Sequence, residues 1–235
     1  MIRTQDGWIK ALSETNCFWM HDENCQRPHA LLRSGKHSNG YVHSKIDGSL
    51  FDEAASDLLE LFVQQGGNIS RIQGVVGPQT GEPYTGAMKL AELICEQIRA
   101  HTDKLQTRGE CFLSSPVKKA QDGVISFLFD SKDRELFKGK EILLCEDIFT
   151  TGRSTNLLAT ILTQAGAIVL PYILTLINRS TLNELAGKSI ISLIHRPMDI
   201  WSPEECPLCD SGSKAIAPFF RDNWARLTAA YLNNS

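Results

Sequence analysis

The run Lys140–Ser154, K-E-I-L-L-C-E-D-I-F-T-T-G-R-S, constrains this chain more than any other segment. Its apolar stretch Ile142–Cys145 suits a parallel strand buried on both faces. Two adjacent carboxylates, Glu146 and Asp147, stand at the end of that strand. Thr150, Thr151, Gly152, Arg153 and Ser154 then bring hydroxyls and backbone N–H groups to a helix start, a place where anions bind. Two carboxylates repel a phosphate unless a cation lies between, so their natural partners are hydroxyls or Mg2+. Taken separately, the acidic pair is an ordinary solvated strand end and the Thr/Ser cluster an ordinary N-cap. Taken together, in this order, they suit a site for a sugar phosphate.

Bulk properties narrow the class. A chain of 235 residues fits one sizeable domain, alone or with a small appendage. A net charge of −3 argues against nucleic-acid binding by bulk charge. Seven cysteines without regular spacing argue against a secreted disulfide framework. The first residues lack an apolar signal core, and no apolar run approaches the roughly 20 residues of a membrane span. The expected location is the cytoplasm, with no membrane and no nucleic-acid partner.

Hydrophobic periodicity organises the rest. Residues 1–50 read as an N-terminal appendage, with Trp8, Leu12, Phe18 and Trp19 on one face of a short helix and Leu31–Lys45 as a hairpin or loop. Phe51–Gln65 has the helical period, and Gly66-Gly67-Asn68 ends it. Ile72–Val76 reads as a strand, 77–81 as a loop, and the segment through Leu90, Leu93, Ile94 and Ile98 as a helix. Cys111–Leu113 and Val124–Phe129 read as strands around a polar loop, Ser114–Gly123. Glu141–Cys145, Ala167–Leu176 and Ile190–Ile194 read as further strands, with a helix through Leu157, Leu158, Ile161 and Leu162. A last helix is expected from about Arg221 to Leu232. Strands alternating with helices imply an α/β fold with a parallel twisted sheet. Ligands of such sheets bind beyond the C-terminal strand ends, where loops 77–81, 146–154 and 178–181 are expected to converge.

With these segments in view, the chain resembles the type I phosphoribosyltransferases. Cys145–Ser154 is similar to that family's phosphoribosyl-diphosphate motif. Leu32-Arg33-Ser34-Gly35-Lys36-His37-Ser38 with Tyr41 and Lys45 resembles the N-terminal hood of the orotate phosphoribosyltransferases. Val75–Gly81 resembles their diphosphate loop, Leu176–Ser180 their strand-end Asp-Arg-Ser, and Glu204–Cys209 a C-terminal segment of some bacterial and archaeal members. The resemblance implies a hood at 1–50 and a phosphoribosyltransferase core at 51–235 carrying a C-terminal extension.

What the resemblance implies for the site follows residue by residue. Glu146 and Asp147 bind the ribose 2- and 3-hydroxyls, and their charge favours a ribosyl-cation-like transition state. Thr150, Thr151, Gly152, Arg153 and Ser154 cradle the 5-phosphate. Gly77, Pro78, Gln79, Thr80 and Gly81 take the diphosphate. A lysine of the mobile loop, Lys118 or Lys119 with Lys119 preferred, reaches the leaving group from the other subunit of a homodimer. Arg179 meets the orotate carboxylate, and Arg33 and Lys45 add hood contacts. Mg2+ comes mainly through the substrate diphosphate, with no dedicated protein ligands. Glu82, Arg153 and Asn178 depart from the family pattern. These departures leave open transfer to another base, or a non-catalytic paralogue that senses phosphoribosyl diphosphate or a nucleotide. Cys206 and Cys209 form one Cys-x-x-Cys, read as packing with zinc as the lesser alternative, because no second pair and no histidine spacing match a metal site. His37 and His43 are assigned no role.

Overall fold

The structure, a computed structural model, describes residues 2–43, 46, 48–80, 86–104, 111–121, 124–129, 135–220 and 222–229. In chain order the elements begin with α1 (Gln5–Glu14), β1 (Phe18–Met20), β2 (His29–Leu31), β3 (His37–Ser38), β4 (Gly40–Val42) and α2 (Gly48–Gln64). Next come β5 (Gly74–Val76), β6 (Gln79–Thr80), α3 (Gly86–Lys104), β7 (Phe112–Ser114), β8 (Val117–Gln121) and β9 (Val124–Leu128). They continue with β10 (Glu141–Phe149), α4 (Arg153–Gln164), β11 (Ile168–Asn178), β12 (Glu184–Leu185) and β13 (Lys188–His195). The chain closes with β14 (Ile200–Trp201), α5 (Pro207–Asp210), β15 (Ala215–Ile216) and α6 (Asn223–Thr228). Two compact units result, Met1–Trp8 with Ile46–Arg196, and Ile9–Lys45 with Pro197–Ser235.

The first unit is built on a sheet in the order β12-β13-β11-β10-β5-β7. Strands β13, β11, β10, β5 and β7 run parallel, and β12 caps one edge antiparallel. This is the parallel α/β sheet expected from the alternation of strand and helix patterns. In α2 the apolar positions Phe51, Ala54, Ala55, Leu58, Leu59 and Phe62 are all buried, as their spacing requires. Each of the larger four contributes about 1.5–3 kcal/mol on burial. Helices α2 and α3 pack on each other and on the sheet. On β10, Ile142 and Leu144 join Leu158, Ala159 and Leu162 of α4 in one buried cluster. Leu143 and Cys145, also buried, point to the opposite face because strand side chains alternate. The central strand is therefore covered on both sides, which explains its continuous apolar run.

Several sequence expectations shift. Phe18 and Trp19 lie in β1 rather than on the helix of Trp8 and Leu12. The segment expected as a polar loop at Ser114–Gly123 contains β8, paired antiparallel with β9 from Val117↔Leu128 to Gln121↔Val124. Polar residues on both faces, Lys118 on one and Lys119 on the other, hid this strand, because no apolar/polar alternation marks it. The central strand continues four residues past Cys145, pairing Glu146 with Thr175 and Phe149 with Asn178. The last helix is described over Asn223–Thr228 only.

The second unit carries a four-stranded sheet, β14-β3-β2-β15, and the separate pair β1-β4. Among the described residues, one buried cluster of this unit is Trp19, Ala30 and Leu227, with Leu32, Tyr41, Ile216 and Trp224 packed against it; Leu12, Phe18, Val42 and Met198 are buried as well. The expected division at residue 50 does not match this partition. The reason is strand pairing: β14 pairs with β3 and β15 with β2, so the C-terminal segment completes the sheet of the N-terminal one.

Candidate active site

Three adjacent parallel strands, β5, β10 and β11, end on one edge of the first unit's sheet. Their C-terminal ends and the segments that follow, at Gly77, at Glu146–Thr150 and at Asn178–Arg179, therefore converge there. On β10, Glu146 is buried and accepts a 3.1 Å hydrogen bond from the Thr155 hydroxyl, with Ser154 donating as well. Both donors sit in the first turn of α4. Asp147 accepts a 2.9 Å bond at Oδ1 from the Ile148 N–H. Its carboxylate lies against the start of α3, so closely that a Cβ on Gly86 would collide with it. Each acid thus faces the start of a helix, where the dipole favours negative charge.

Burial opposes that charge. Removal from water, and secondarily the charge of Asp147, push the Glu146 carboxyl up to about 8. Burial also raises Asp147 above the usual carboxylate range, against the Ile148 N–H bond that pulls it down. The Lys118 ammonium lowers both. Lys118 is half-buried, whereas Lys119 is exposed and, one residue along β8, points to the opposite face. Within this chain the ammonium that acts electrostatically on the acidic pair is that of Lys118. Lys118→Ala is expected to raise both carboxyl pKa values further, and Lys119→Ala to leave them unmoved. Carboxyl titration followed by NMR reads the difference directly.

The turn between strand and helix depends on Gly152. It caps α4 with φ 67°, a left-handed conformation, and a Cβ there would lie 2.6 Å from the Phe149 ring and 2.7 Å from Leu185. No side chain caps the helix at this position, so Thr150 and Thr151 are not the N-cap; both are exposed beside it. Ser154 and Thr155 turn instead toward Glu146. Arg153 is exposed and lines a cleft of about 380 Å³ with Val124, Ile125, Asn156, Leu157 and Thr160. It leaves the turn itself uncrowded.

In the diphosphate-loop segment, Gly77 donates to Ser114 O at 3.3 Å and Gln79 to Pro116 O at 2.9 Å. A Cβ on Gly77 would strike the backbone of α3 at Ala87, so the glycine permits a close strand–helix approach. Pro78 is buried, and Gln79–Thr80 pairs with Val117 and Lys118 of β8. Gly81 and Glu82 lie outside the described residues. At the end of β11, Asn178 organises a turn: its Oδ1 accepts from Ser180 N and Oγ at 3.0 and 2.7 Å, and its Nδ2 donates to Leu182 O at 2.7 Å. An aspartate accepts the same two bonds but cannot donate the third, which accounts for asparagine here. Arg179 follows, largely buried, with its N–H on Phe149 O at 2.9 Å. Arg33 belongs to the second unit, with its guanidinium 4.9 Å from the Phe219 ring centroid, and Lys45 lies outside the described residues. Sequence reading missed Lys118, Thr155 and Gly86 as neighbours of the acidic pair. A Thr at the third position after Gly152, on the helix face that turns inward, was the available signal for Thr155.

No family model matches the chain. An orotate phosphoribosyltransferase of a Nitratiruptor species is 30% identical to it over 211 residues, 83% of this chain and 92% of that one. Orotate phosphoribosyltransferase of Caldicellulosiruptor bescii is 26% identical over 218 residues, 91% of this chain and 96% of the relative. Among solved structures, orotate phosphoribosyltransferase from Aeropyrum pernix matches with a TM-score of 0.50 at 21% identity, covering 79% of this chain and 92% of that one. That last likeness is one of fold.

Proposed function

The chain belongs to the orotate phosphoribosyltransferase family and is a phosphoribosyltransferase, and from that premise we propose that it moves the 5-phosphoribosyl group of phosphoribosyl diphosphate onto a ring nitrogen of orotate. The bond from ribose C1 to the diphosphate oxygen breaks, the C1–N bond forms, diphosphate leaves, and the ring nitrogen gives up its proton. The observation that carries this reading is the acidic pair near the C-terminal end of β10, Glu146 buried and Asp147 half-buried, ahead of a helix opened by left-handed Gly152. The Thr150–Ser154 turn offers hydroxyls and N–H groups to the 5-phosphate. The acidic pair offers acceptors to the two ribose hydroxyls, and its charge favours the electron-poor sugar of the transition state. Gly77–Gly81 and a loop lysine serve the diphosphate, and Arg179 serves the carboxylate of the base. Exposed Lys119 fits a second copy's site, in a homodimer, better than its own.

Mg2+ fits this arrangement. Two neighbouring carboxyls, both raised above their ordinary values by removal from water, gain from a nearby cation. When bound with the diphosphate, Mg2+ would supply positive charge to the leaving group. Glu146 and Asp147 are the residues beside which it would lie. We place the reaction in the cytoplasm; among the described residues no helix is long and apolar enough to cross a membrane.

The test is diphosphate release from phosphoribosyl diphosphate and Mg2+ with orotate, with a panel of other pyrimidines and purines, and with no base. Orotate-dependent release is the expected result. Release with a different base alone replaces the acceptor. Binding of phosphoribosyl diphosphate without release for any base turns the reading into that of a sensor.

A further inference from the structure

The second unit gathers two histidines and two cysteines from opposite ends of the chain. His29 lies on β2, His37 on the facing strand β3, and Cys206 and Cys209 bracket the first turn of α5. One ligand atom from each of the four lies within 4.8 Å of all the others. His29 Nε2 is 3.1 Å from His37 Nδ1 and 3.5 and 3.6 Å from the sulfurs of Cys206 and Cys209. Cys209 Sγ is 3.3 Å from His37 Nδ1. A tetrahedral ion with metal–nitrogen bonds of about 2.05 Å and metal–sulfur bonds of about 2.3 Å separates its ligands by about 3.3 Å for N–N and about 3.5 Å for N–S. The four distances above match those separations, and the remaining pairs lie within 4.8 Å.

The surroundings orient the ligands. Ser213 Oγ donates to Arg27 O at 2.6 Å, so it accepts from His29 Nδ1 at 2.8 Å. His29 therefore carries its proton on Nδ1 and turns an Nε2 lone pair inward. The Cys209 N–H donates to Cys206 O at 3.0 Å and the Asp210 N–H at 3.2 Å, which curls the Cys-x-x-Cys so that both sulfurs face one point. His29, His37 and Cys206 are buried. An apolar dithiol explains the cysteines, but not two imidazole nitrogens aimed at the same centre.

We propose that His29, His37, Cys206 and Cys209 bind one Zn2+ as a closed structural site. Two thiolates with two imidazoles in a tetrahedron are a zinc donor set. Four protein ligands leave no position for substrate, so the ion holds the fold rather than performing chemistry. The ion has a mechanical role to fill: the unit's sheet joins segments that are 177 residues apart at the His29–Cys206 contact, and small units are commonly stapled by a metal. Binding releases the two thiol protons to solvent. The lesser, zinc alternative for Cys206 and Cys209 is thus the one taken up, and His37 gains a role.

The test uses the full chain and needs no activity measurement. Elemental analysis of protein purified without added metal or chelator is expected to find about one zinc per chain. After chelation, Co2+ titration is expected to give the visible bands of tetrahedral cobalt with sulfur charge transfer, and Zn2+ to bleach them. Cys209→Ser and His37→Gln are each expected to abolish the cobalt spectrum, Ser213→Ala to weaken binding about tenfold or more, and the exposed Cys25→Ser to change nothing. Where a ligand variant fails to fold, the cobalt titration of the unmodified chain decides. A folded chain with neither zinc nor a cobalt spectrum overturns the site, as does a Cys206–Cys209 disulfide found by mass. Zinc retained in both ligand variants overturns the assignment of these residues.

Discussion

Asp147→Asn is expected to cut turnover by about 10²–10³-fold while leaving the protein folded. The substitution keeps an Oδ1 acceptor for the Ile148 N–H, now bonded at 2.9 Å, so the strand end keeps its local geometry. It also removes a charge that burial already penalises, so thermal stability should hold or rise. What disappears is negative charge beside the sugar, which acts more strongly on a cation-like transition state than on the neutral ground state. The effect should therefore fall mainly on kcat, with a smaller change in KM for phosphoribosyl diphosphate. Steady-state kinetics beside a melting curve separate the two. Unchanged turnover in a folded variant removes Asp147 from the mechanism.

The second large effect concerns pH. Burial and the neighbouring Asp147 raise the Glu146 carboxyl from 4.5 in the unfolded chain to about 8 in the folded one. Between those values the native state binds this proton more tightly than the unfolded state does. The contribution of Glu146 to stability is thus fully present below about pH 4.5 and is lost as pH rises through about 8. The size is on the order of a few kcal/mol. Glu146→Gln, which stays neutral, removes the dependence. Urea unfolding should show the variant more stable than the parent at pH 9, with the two converging near pH 5. Subtracting one from the other cancels the remaining titrating groups. Saturating phosphoribosyl diphosphate with Mg2+ should shrink the gap, because a cation beside the carboxylate restores its charge at lower cost. A parent and variant that track each other from pH 5 to 9 would show that Glu146 is already ionised in the fold.

The two acids therefore combine two demands. They must be charged to act on the sugar, yet the sheet that positions them excludes water. Helix starts, the Ser154 and Thr155 hydroxyls and the Lys118 ammonium offset part of that penalty. The rest is left for the substrate and its cation to relieve, which couples binding to ionisation at the place where charge is needed.

Much of the core was legible because its signals are local. The helical spacing from Phe51 to Phe62 reports one buried face of α2. The run from Ile142 to Cys145 reports a strand covered on both sides, although the strand itself continues to Phe149. Strand β8 was missed because a strand with polar residues on both faces carries no continuous apolar run, and its polar residues match a loop equally well.

What the sequence determined by itself is the acidic pair, its strand and the helix that opens behind it, because order within fifteen consecutive residues dictates hydrogen bonding and burial there. Only the tertiary structure decided two other matters. One is which lysine faces the pair, since the phase of a period-two strand is set by its pairing with β9. The other is the company of Cys206 and Cys209: His37 lies 172 residues before Cys209, and nothing along the chain marks a spacing that only the pairing of β14 with β3 and β15 with β2 creates.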